Sequence, residues 1–324
     1  MSRSANKLLY AAIGATLKIN HDLKVLMQYA PREAGDIYRN STKDPNNVTR
    51  GVDLWAESAY RIALIAALGG DITIHGEESL RDPTLDLTEV GGLTALVDVV
   101  DGTDLLFLEI SLWCSAAIFF IPQQRRILLA IVADPWGRIY FAQEGQPAYS
   151  TKPELRNAPV KHVLRARQRI RPFTHTRLAD AFIAFYGQKP STMFPMLDRV
   201  RSTFSAAHRL YNFAGNPILA KVAAGSMSAV VEVNGQHAHD VVPGAFIARQ
   251  AGAYVAARTI DGETITLEDA LLKPASEASR LTYVCACTPQ LGAELEESIA
   301  TSSAAYRDRQ PERRALDTAA IAPV

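Results

Sequence analysis

Cysteine is scarce in this sequence: 324 residues hold three, Cys114, Cys285 and Cys287. Three thiols build neither a disulfide framework nor a closed zinc site. Cys285 and Cys287 lie in the apolar run Leu281 to Cys287, which reads as a buried strand, so all three are expected to be reduced core residues of a cytoplasmic protein. An excess of either charge is missing too: Lys plus Arg and Asp plus Glu each number 34, and the pI is about 7.1. Nucleic-acid binders draw most of their affinity from phosphate contacts with basic residues, so no nucleic-acid partner is expected. A small anionic substrate stays open, because a few bound cations reverse the potential of one cleft. No run approaches the ~20 apolar residues of a membrane span. Met1 to Lys7 leads into an amphipathic pattern without the apolar core of a cleavable signal, so no membrane association is expected. The sequence also lacks a phosphate-binding loop ending in Gly-Lys-Ser/Thr and the Gly-x-Ser-x-Gly elbow of serine hydrolases.

What is present divides into two textures. Residues 5–29 place Leu8, Leu9, Ala12, Ile13 and Leu17 at helical spacing. Arg39 to Asn47 is polar and reads as a loop. A second helix follows Asp53, with Trp55, Ala59, Ile62 and Ala66 on one predicted core face and Gly69-Gly70 as its stop. Then the period shortens: 72–75, 95–100, 112–121, 127–133 and 138–141 read as strands. The turns Pro122 to Arg125 and Asp134 to Gly137 are short, which predicts antiparallel pairing. After Tyr149 the pattern alternates: strand 181–185, helices 191–202 and 215–224, strand 228–233, helix 240–251, strand 281–287, helix 288–299. This predicts an antiparallel N-terminal half, 1–150, and an α/β C-terminal half, 151–300, with 301–324 as a loose tail. Arg165, Arg167, Arg169 and Arg171 alternate, so an extended segment would show all four on one solvated face.

Three stretches set acids at strand ends or helix starts: Gly76-Glu77-Glu78-Ser79, Asp98-Val99-Val100-Asp101-Gly102-Thr103, and His239-Asp240-Val241-Val242-Pro243-Gly244. Asp98 sits inside an apolar run, where an unpaired carboxylate costs several kcal/mol. It therefore needs a cation or a proton. Asp101 follows at the strand end, Gly102 permits a sharp turn, and Asp240 stands where a helix N-cap is expected. Glu77, Asp98, Asp101 and Asp240 together carry the charge that two Mg²⁺ ions neutralise, and hard oxygen ligands suit that ion. His237-Ala238-His239-Asp240 is also similar to the His-x-His-x-Asp-His ligands of binuclear zinc hydrolases, but the Asp falls one place early and no His follows.

Over roughly residues 45–300 these stretches resemble the inositol monophosphatase and fructose bisphosphatase superfamily. Its signatures are Gly-Glu-Glu-Ser, Asp-Pro-hydrophobic-Asp-Gly-Thr and Trp-Asp-x-Ala-Ala-Gly. The resemblance implies a layered α-β-α-β-α fold of the sugar phosphatase type, a homodimer, and Mg²⁺, two or three ions, with Mn²⁺ as a substitute. It places Glu77, Asp98 and the Val100 carbonyl at one metal, and Asp98, Asp101 and Asp240 at a second. Phosphate would rest against Gly102 and Thr103. Thr103, Asp53 and Glu77 would serve catalysis, Thr103 and Asp53 as the pair that orients the attacking water. Glu232 falls near a position where some members read substrate hydroxyls. The implied activity is hydrolysis of a small phosphorylated metabolite (an inositol, sugar or nucleotide phosphate) by metal-activated water. The alternative is a silent phosphosugar-binding or regulatory protein on the same fold. Departures include Val99 for Pro, His239 for Trp, Pro243-Gly244 for Ala-Gly and Asp104-Leu105-Leu106 for Thr-Asn-Phe. Asp53 fits the usual acid only after a one-residue insertion.

Overall fold

Helix α1 (Arg3–Tyr29) buries Leu8, Leu9, Ala12, Ile13, Ile19 and Leu23, a stripe at three- and four-residue spacing. In this computed structural model the described residues are 3–29, 37–39, 48–77, 80, 82, 84–152, 154, 157–187, 189–274, 276 and 279–303. Glu78, Ser79, most of the loop 39–47 and the tail from 304 onward lie outside them.

Short strands β1 (Ile37–Arg39) and β2 (Val48–Arg50) pair antiparallel and lead into α2 (Gly51–Leu68). The face that α2 buries is Val52, Ala56, Tyr60 and Leu64, whereas Trp55 and Ile62 are 39% and 69% exposed. This corrects the predicted core face. Both sides of the helix carry apolar residues, so periodicity alone does not choose between them. Contact with α1 does: the Thr16 and Tyr60 hydroxyls share a buried hydrogen bond of 3.1 Å.

The first sheet has seven strands in chain order: β3 (Ile72–Gly76), β4 (Leu93–Asp101), β5 (Cys114–Ile121), β6 (Arg126–Ala133), β7 (Ile139–Gln143), β8 (Tyr149–Ser150) and β9 (Gln168–Arg169). Pairing is antiparallel from β4 to β9, but β3 runs parallel to β4. The expectation of antiparallel pairing fails there because the stretch 77–92 is long enough to carry the chain back to the same end. Between β6 and β7, Asp134 Oδ1 accepts the Trp136 and Arg138 amides at 3.1 and 2.9 Å and fixes the turn. The arginine row does not form one extended face, since α4 (Val160–Arg165) takes Arg165 into a helix and only 168–169 are strand. All four arginines are exposed. Arg167 lies over the Tyr149 ring at 4.9 Å.

The second sheet has five strands ordered β11-β10-β12-β14-β13, from β10 (Phe182–Phe185), β11 (Arg209–Asn212), β12 (Ala229–Gln236), β13 (Tyr254–Thr259) and β14 (Leu281–Ala286). Strand β10 runs parallel to β11 and β12, and β14 runs antiparallel to β12 and β13. The edge strands β11 and β13 escape the sequence pattern because they are half-exposed and mix charged with apolar residues.

Two cores separate the layers. On β5, Ala117 and Phe119 point into the cluster shared with α1 and α2, while Cys114, Ala116, Ile118 and Phe120 point into the cluster shared with the second sheet. Between the sheets lie α6 (Asn216–Ala223) and α7 (Ala238–Ala251). The run Val241 to Ala248 is buried all round, as expected of a helix between two sheets. On the far side of the second sheet, α5 (Pro190–Ser205) and the helix 289–303 meet through Thr203 and Ser298, 2.8 Å apart. The order is α-β-α-β-α.

Gly244 sets how closely α7 approaches α6. A Cβ there would lie 2.7 Å from Leu219 Cβ and 2.8 Å from the Asn216 carbonyl oxygen. Gly244→Ala should therefore destabilise the fold by about 1–3 kcal/mol. Urea unfolding should show a lower midpoint at an unchanged slope. A wild-type midpoint would mean that the two helices separate freely.

Candidate active site

The site begins with a fault in the first sheet. Strand β4 is buried from Thr94 to Val100 and still contains Asp98, which is 5% exposed. Asp98 is in register with Ala116, but Asp101 is in register with Cys114, so three steps on β4 meet two on β5. Such a bulge re-aims side chains and takes backbone groups out of the ladder. Side chains satisfy those groups. Ser115 Oγ donates to the Val99 carbonyl at 2.7 Å, and Asp98 Oδ1 accepts the Val100 amide at 3.2 Å. Thr103 Oγ1 lies 3.1 Å from the Val100 carbonyl oxygen. Gly102 ends the strand at φ 90°, a left-handed turn that glycine adopts without strain.

Thr103 opens the short helix α3 (Thr103–Phe107), and its Oγ1 donates to Asp53 Oδ1 at 2.8 Å. Asp53 is not a helix cap: α2 starts at Gly51, which puts Asp53 in its first turn. One turn further on, the Glu57 carboxyl packs on Gly76, where a Cβ would fall 1.9 Å from Glu57 Cδ. That contact explains the glycine before Glu77, which sits half-buried at the end of β3.

The other wall comes from α6 and α7. His237 is the N-cap of α7, so Asp240 occupies the first turn and not the cap position read from the sequence. His239 Nε2 stands 3.2 Å from Asp240 Oδ1. Asn216, the first residue of α6, is fully buried and donates from Nδ2 to Asp101 Oδ2 at 3.3 Å. Cys114 Sγ donates to the same oxygen at 3.6 Å. Cys114 thus joins the site, whereas Cys285 and Cys287 are buried in the second sheet and beside it.

Burial holds the Asp98 carboxyl well above the usual carboxylate range, and the charges of Glu77, Asp101, Asp240 and Asp53 add to the effect. Asp101 is pushed up to about 7, first by burial and then by Asp240, against the hydrogen bonds from Asn216 and Cys114. These carboxylates feel one another across a shared space. Among the described residues, no three His, Cys, Asp or Glu side chains form a group that could hold an ion as they are placed. The donor set still fits a hard cation. Mg²⁺ takes one or two carboxylates and completes its shell with water and phosphate, and a buried carboxylate raised by its own kind gains most from an added positive charge.

Four residues near these acids were not nominated from the sequence: Glu57, Tyr186, Asn216 and Cys114. Tyr186 follows β10 and feels the site directly. Burial and then Asp240, Asp101, Glu232 and Asp104 push its phenol up to about 12. Its place at the end of a strand in an α/β sheet is a usual one for ligand contact, but nothing in the local pattern marks it. Glu57 was legible, since Asp53 and Glu57 are four apart on one helix face.

Glu232 is 1% exposed and opposite Tyr283. A bulge follows it in β12, and its Oε1 accepts the amides of Asn234 and of Gly235, the latter at 3.0 Å; among the described residues Oε2 has no hydrogen-bond partner. Burial pushes this carboxyl from 4.5 up to about 7, partly offset by those amides and by Arg280. Between these pH values the folded chain binds the proton that the unfolded chain releases, so this contribution to stability is lost as pH rises through about 7. Glu232→Gln should gain stability over wild type as the pH is raised from about 5 to about 8, read from thermal melts. A constant difference across that range would show that Glu232 titrates normally.

Comparison with known proteins bears on the family and the fold. The profile of the inositol monophosphatase family matches residues 7–292. No curated protein matches the chain. Among solved structures, the extragenic suppressor protein SuhB from Bartonella henselae is 19% identical, with a TM-score of 0.67 over 89% of this chain and 96% of its own. The Thermotoga maritima IMPase is 15% identical, with a TM-score of 0.65 over 91% of this chain and 97% of its own. An IMPase/NADP phosphatase complexed with Mg²⁺ and phosphate is 17% identical, with a TM-score of 0.60 over 86% of this chain and 92% of its own. The layered fold is the one these structures share, and the chain belongs to the inositol monophosphatase family of metal-dependent phosphoric monoester hydrolases.

Proposed function

We propose that the chain releases phosphate from a small phosphorylated metabolite with Mg²⁺ as its ion, held by Glu77, Asp98, the Val100 carbonyl, Asp101 and Asp240. The observation that carries this reading is the Thr103 hydroxyl, bonded to Asp53 at 2.8 Å within a cluster of half-buried carboxylates around the buried Asp98. A passive phosphate binder has no use for a hydroxyl backed by an acid. When bound, Mg²⁺ neutralises the phosphoryl oxygens and lowers the pKa of the attacking water. Structural neighbours hold inositol monophosphate and 2'AMP, which supports a phosphomonoester on a cyclic polyol or ribose.

The chain's own residues supply position and proton handling. Gly102 and Thr103 present backbone at the turn after β4 to the phosphate, and Gly102 makes that left-handed turn without strain. Thr103 Oγ1 orients the water that attacks phosphorus, and Asp53 accepts the proton relayed through that oxygen. Tyr186 forms part of the wall facing the leaving group, on the second sheet's side of the acids.

Phosphate release from a panel of inositol, sugar and nucleotide monophosphates should require Mg²⁺, and release at full rate in a chelator would overturn the proposal. Asp98→Asn should abolish release. It should also raise the melting temperature in Mg²⁺-free buffer, because a neutral amide replaces a carboxylate repelled by Glu77, Asp101, Asp240 and Asp53. Full activity in that variant would remove Asp98 from the site. Thr103→Ala should slow turnover on the order of 10²–10⁴-fold with little change in Mg²⁺ affinity, while Thr103→Ser recovers much of the rate. Equal losses in both variants would assign Thr103 to packing.

A further inference from the structure

The Asn216 carboxamide is fully buried and uses both of its N–H donors and its acceptor oxygen. One Nδ2 hydrogen reaches Asp101 Oδ2 at 3.3 Å, and the other reaches the His239 carbonyl oxygen at 2.9 Å. Its Oδ1 accepts the Gly244 amide at 2.9 Å. The Asn216 backbone amide also donates to the Asp101 carboxylate. One residue therefore touches the acid at the end of β4 and both sides of the first turns of α7, which carry Asp240.

The bond to His239 has a specific cause. Pro243 lies inside α7 and has no N–H, so the carbonyl four residues earlier, that of His239, loses its helical donor. A buried carbonyl without a donor is destabilising, because it has given up its bond to water for nothing. Asn216 fills the vacancy and in doing so brings α7 to a fixed distance from Asp101. His239 is part of the same arrangement: its ring nitrogen meets Asp240 Oδ1 at 3.2 Å, while its carbonyl is the atom that Asn216 holds.

We propose that Asn216 is a positioning residue for cation binding: it locks Asp101 and the Asp240-bearing turn of α7 in register, so that two mutually repelling carboxylates stay aimed at one space. The proposal rests on reading Asp101 and Asp240 as cation ligands. Without the lock, the first sheet and α7 relax apart under that repulsion, and the cation has to draw them back together.

The test separates this role from simple packing through Pro243. Asn216→Ala alone leaves the His239 carbonyl without a donor and lowers the melting temperature. In Pro243→Ala the helix regains its own N–H at position 243, so Asn216→Ala lowers the melting temperature less in that background than alone, the Gly244 amide still losing its Asn216 acceptor. Mg²⁺ binding, measured by calorimetry and by the Mg²⁺-induced rise in melting temperature, is then compared across wild type, Pro243→Ala and Asn216→Ala/Pro243→Ala. The expected result is wild-type affinity in Pro243→Ala and a loss on the order of 10–100-fold in the double variant, both measured well below the melting temperature of the double variant. Unchanged affinity in the double variant, with Mg²⁺ binding intact in wild type, overturns the positioning role alone and leaves Asn216 a structural bridge. No Mg²⁺ heat and no thermal shift in wild type overturns the cation reading of the site, and the proposal falls with it.

Discussion

Repulsion between carboxylates is the constraint on which the centre of this molecule depends. Asp98 is buried in a β-strand, Asp101 stands three residues on, and Glu77, Asp240 and Asp53 add their fields from three other elements. Burial and the neighbouring charges raise the proton affinity of Asp98 and Asp101, so the arrangement opposes folding wherever these two groups are charged. The fold compensates with hydrogen bonds at specific oxygens. Asp98 takes the Val100 amide, Asp101 takes donors from Asn216 and Cys114, and Asp53 takes the Thr103 hydroxyl. On the proposed reading, the residual repulsion is what attracts a divalent cation. Charge that destabilises the free chain becomes the attraction for the ion.

The layers exist, in functional terms, to hold that charge in place. The first sheet contributes its bulge, which turns Asp98 and Asp101 out of the regular ladder and exposes backbone oxygens at Val99 and Val100. The buried central helix contributes Asp240, and its packing against α6 is tight enough that Gly244 has no room for a methyl group. Helix α2 lays Asp53 and Glu57 along the end of β3. Helix α2, strand β4 and helix α7 are well separated in sequence, so their acids meet only when the sheets and helices are stacked. Asn216 is where that stacking is fixed to the acids themselves.

The legible parts of the structure were those whose signal is short-range. Buried strands such as β5 and β6 announce themselves as unbroken apolar runs, and α1 as a three-four stripe. The acidic stretches drew attention because a charge inside such a run needs an explanation. Parts whose signal depends on a neighbour were not legible. The core face of α2 was misread because Trp55 and Ile62 are as apolar as Val52 and Leu64; contact with Thr16 on α1 makes the choice. The parallel pairing of β3, the edge strands β11 and β13, and the displacement of Asp240 from cap to first turn are likewise decided by partners. The bulge that takes up one oxygen of the Glu232 carboxylate is decided in the same way, by backbone that folds around it.

By itself the sequence determined the chemistry available to the protein: hard oxygen ligands in excess of nearby cations, a Gly-Thr turn beside them, and no soft-metal or nucleotide-loop alternative. It could do so because residue type and local spacing carry that information. The tertiary structure alone decided which acids act on one another, that Tyr186, Cys114 and Asn216 belong with them, and that a proline in one helix is answered by an asparagine in another. Those facts are distances across layers, set by close packing of faces that meet only in the folded chain.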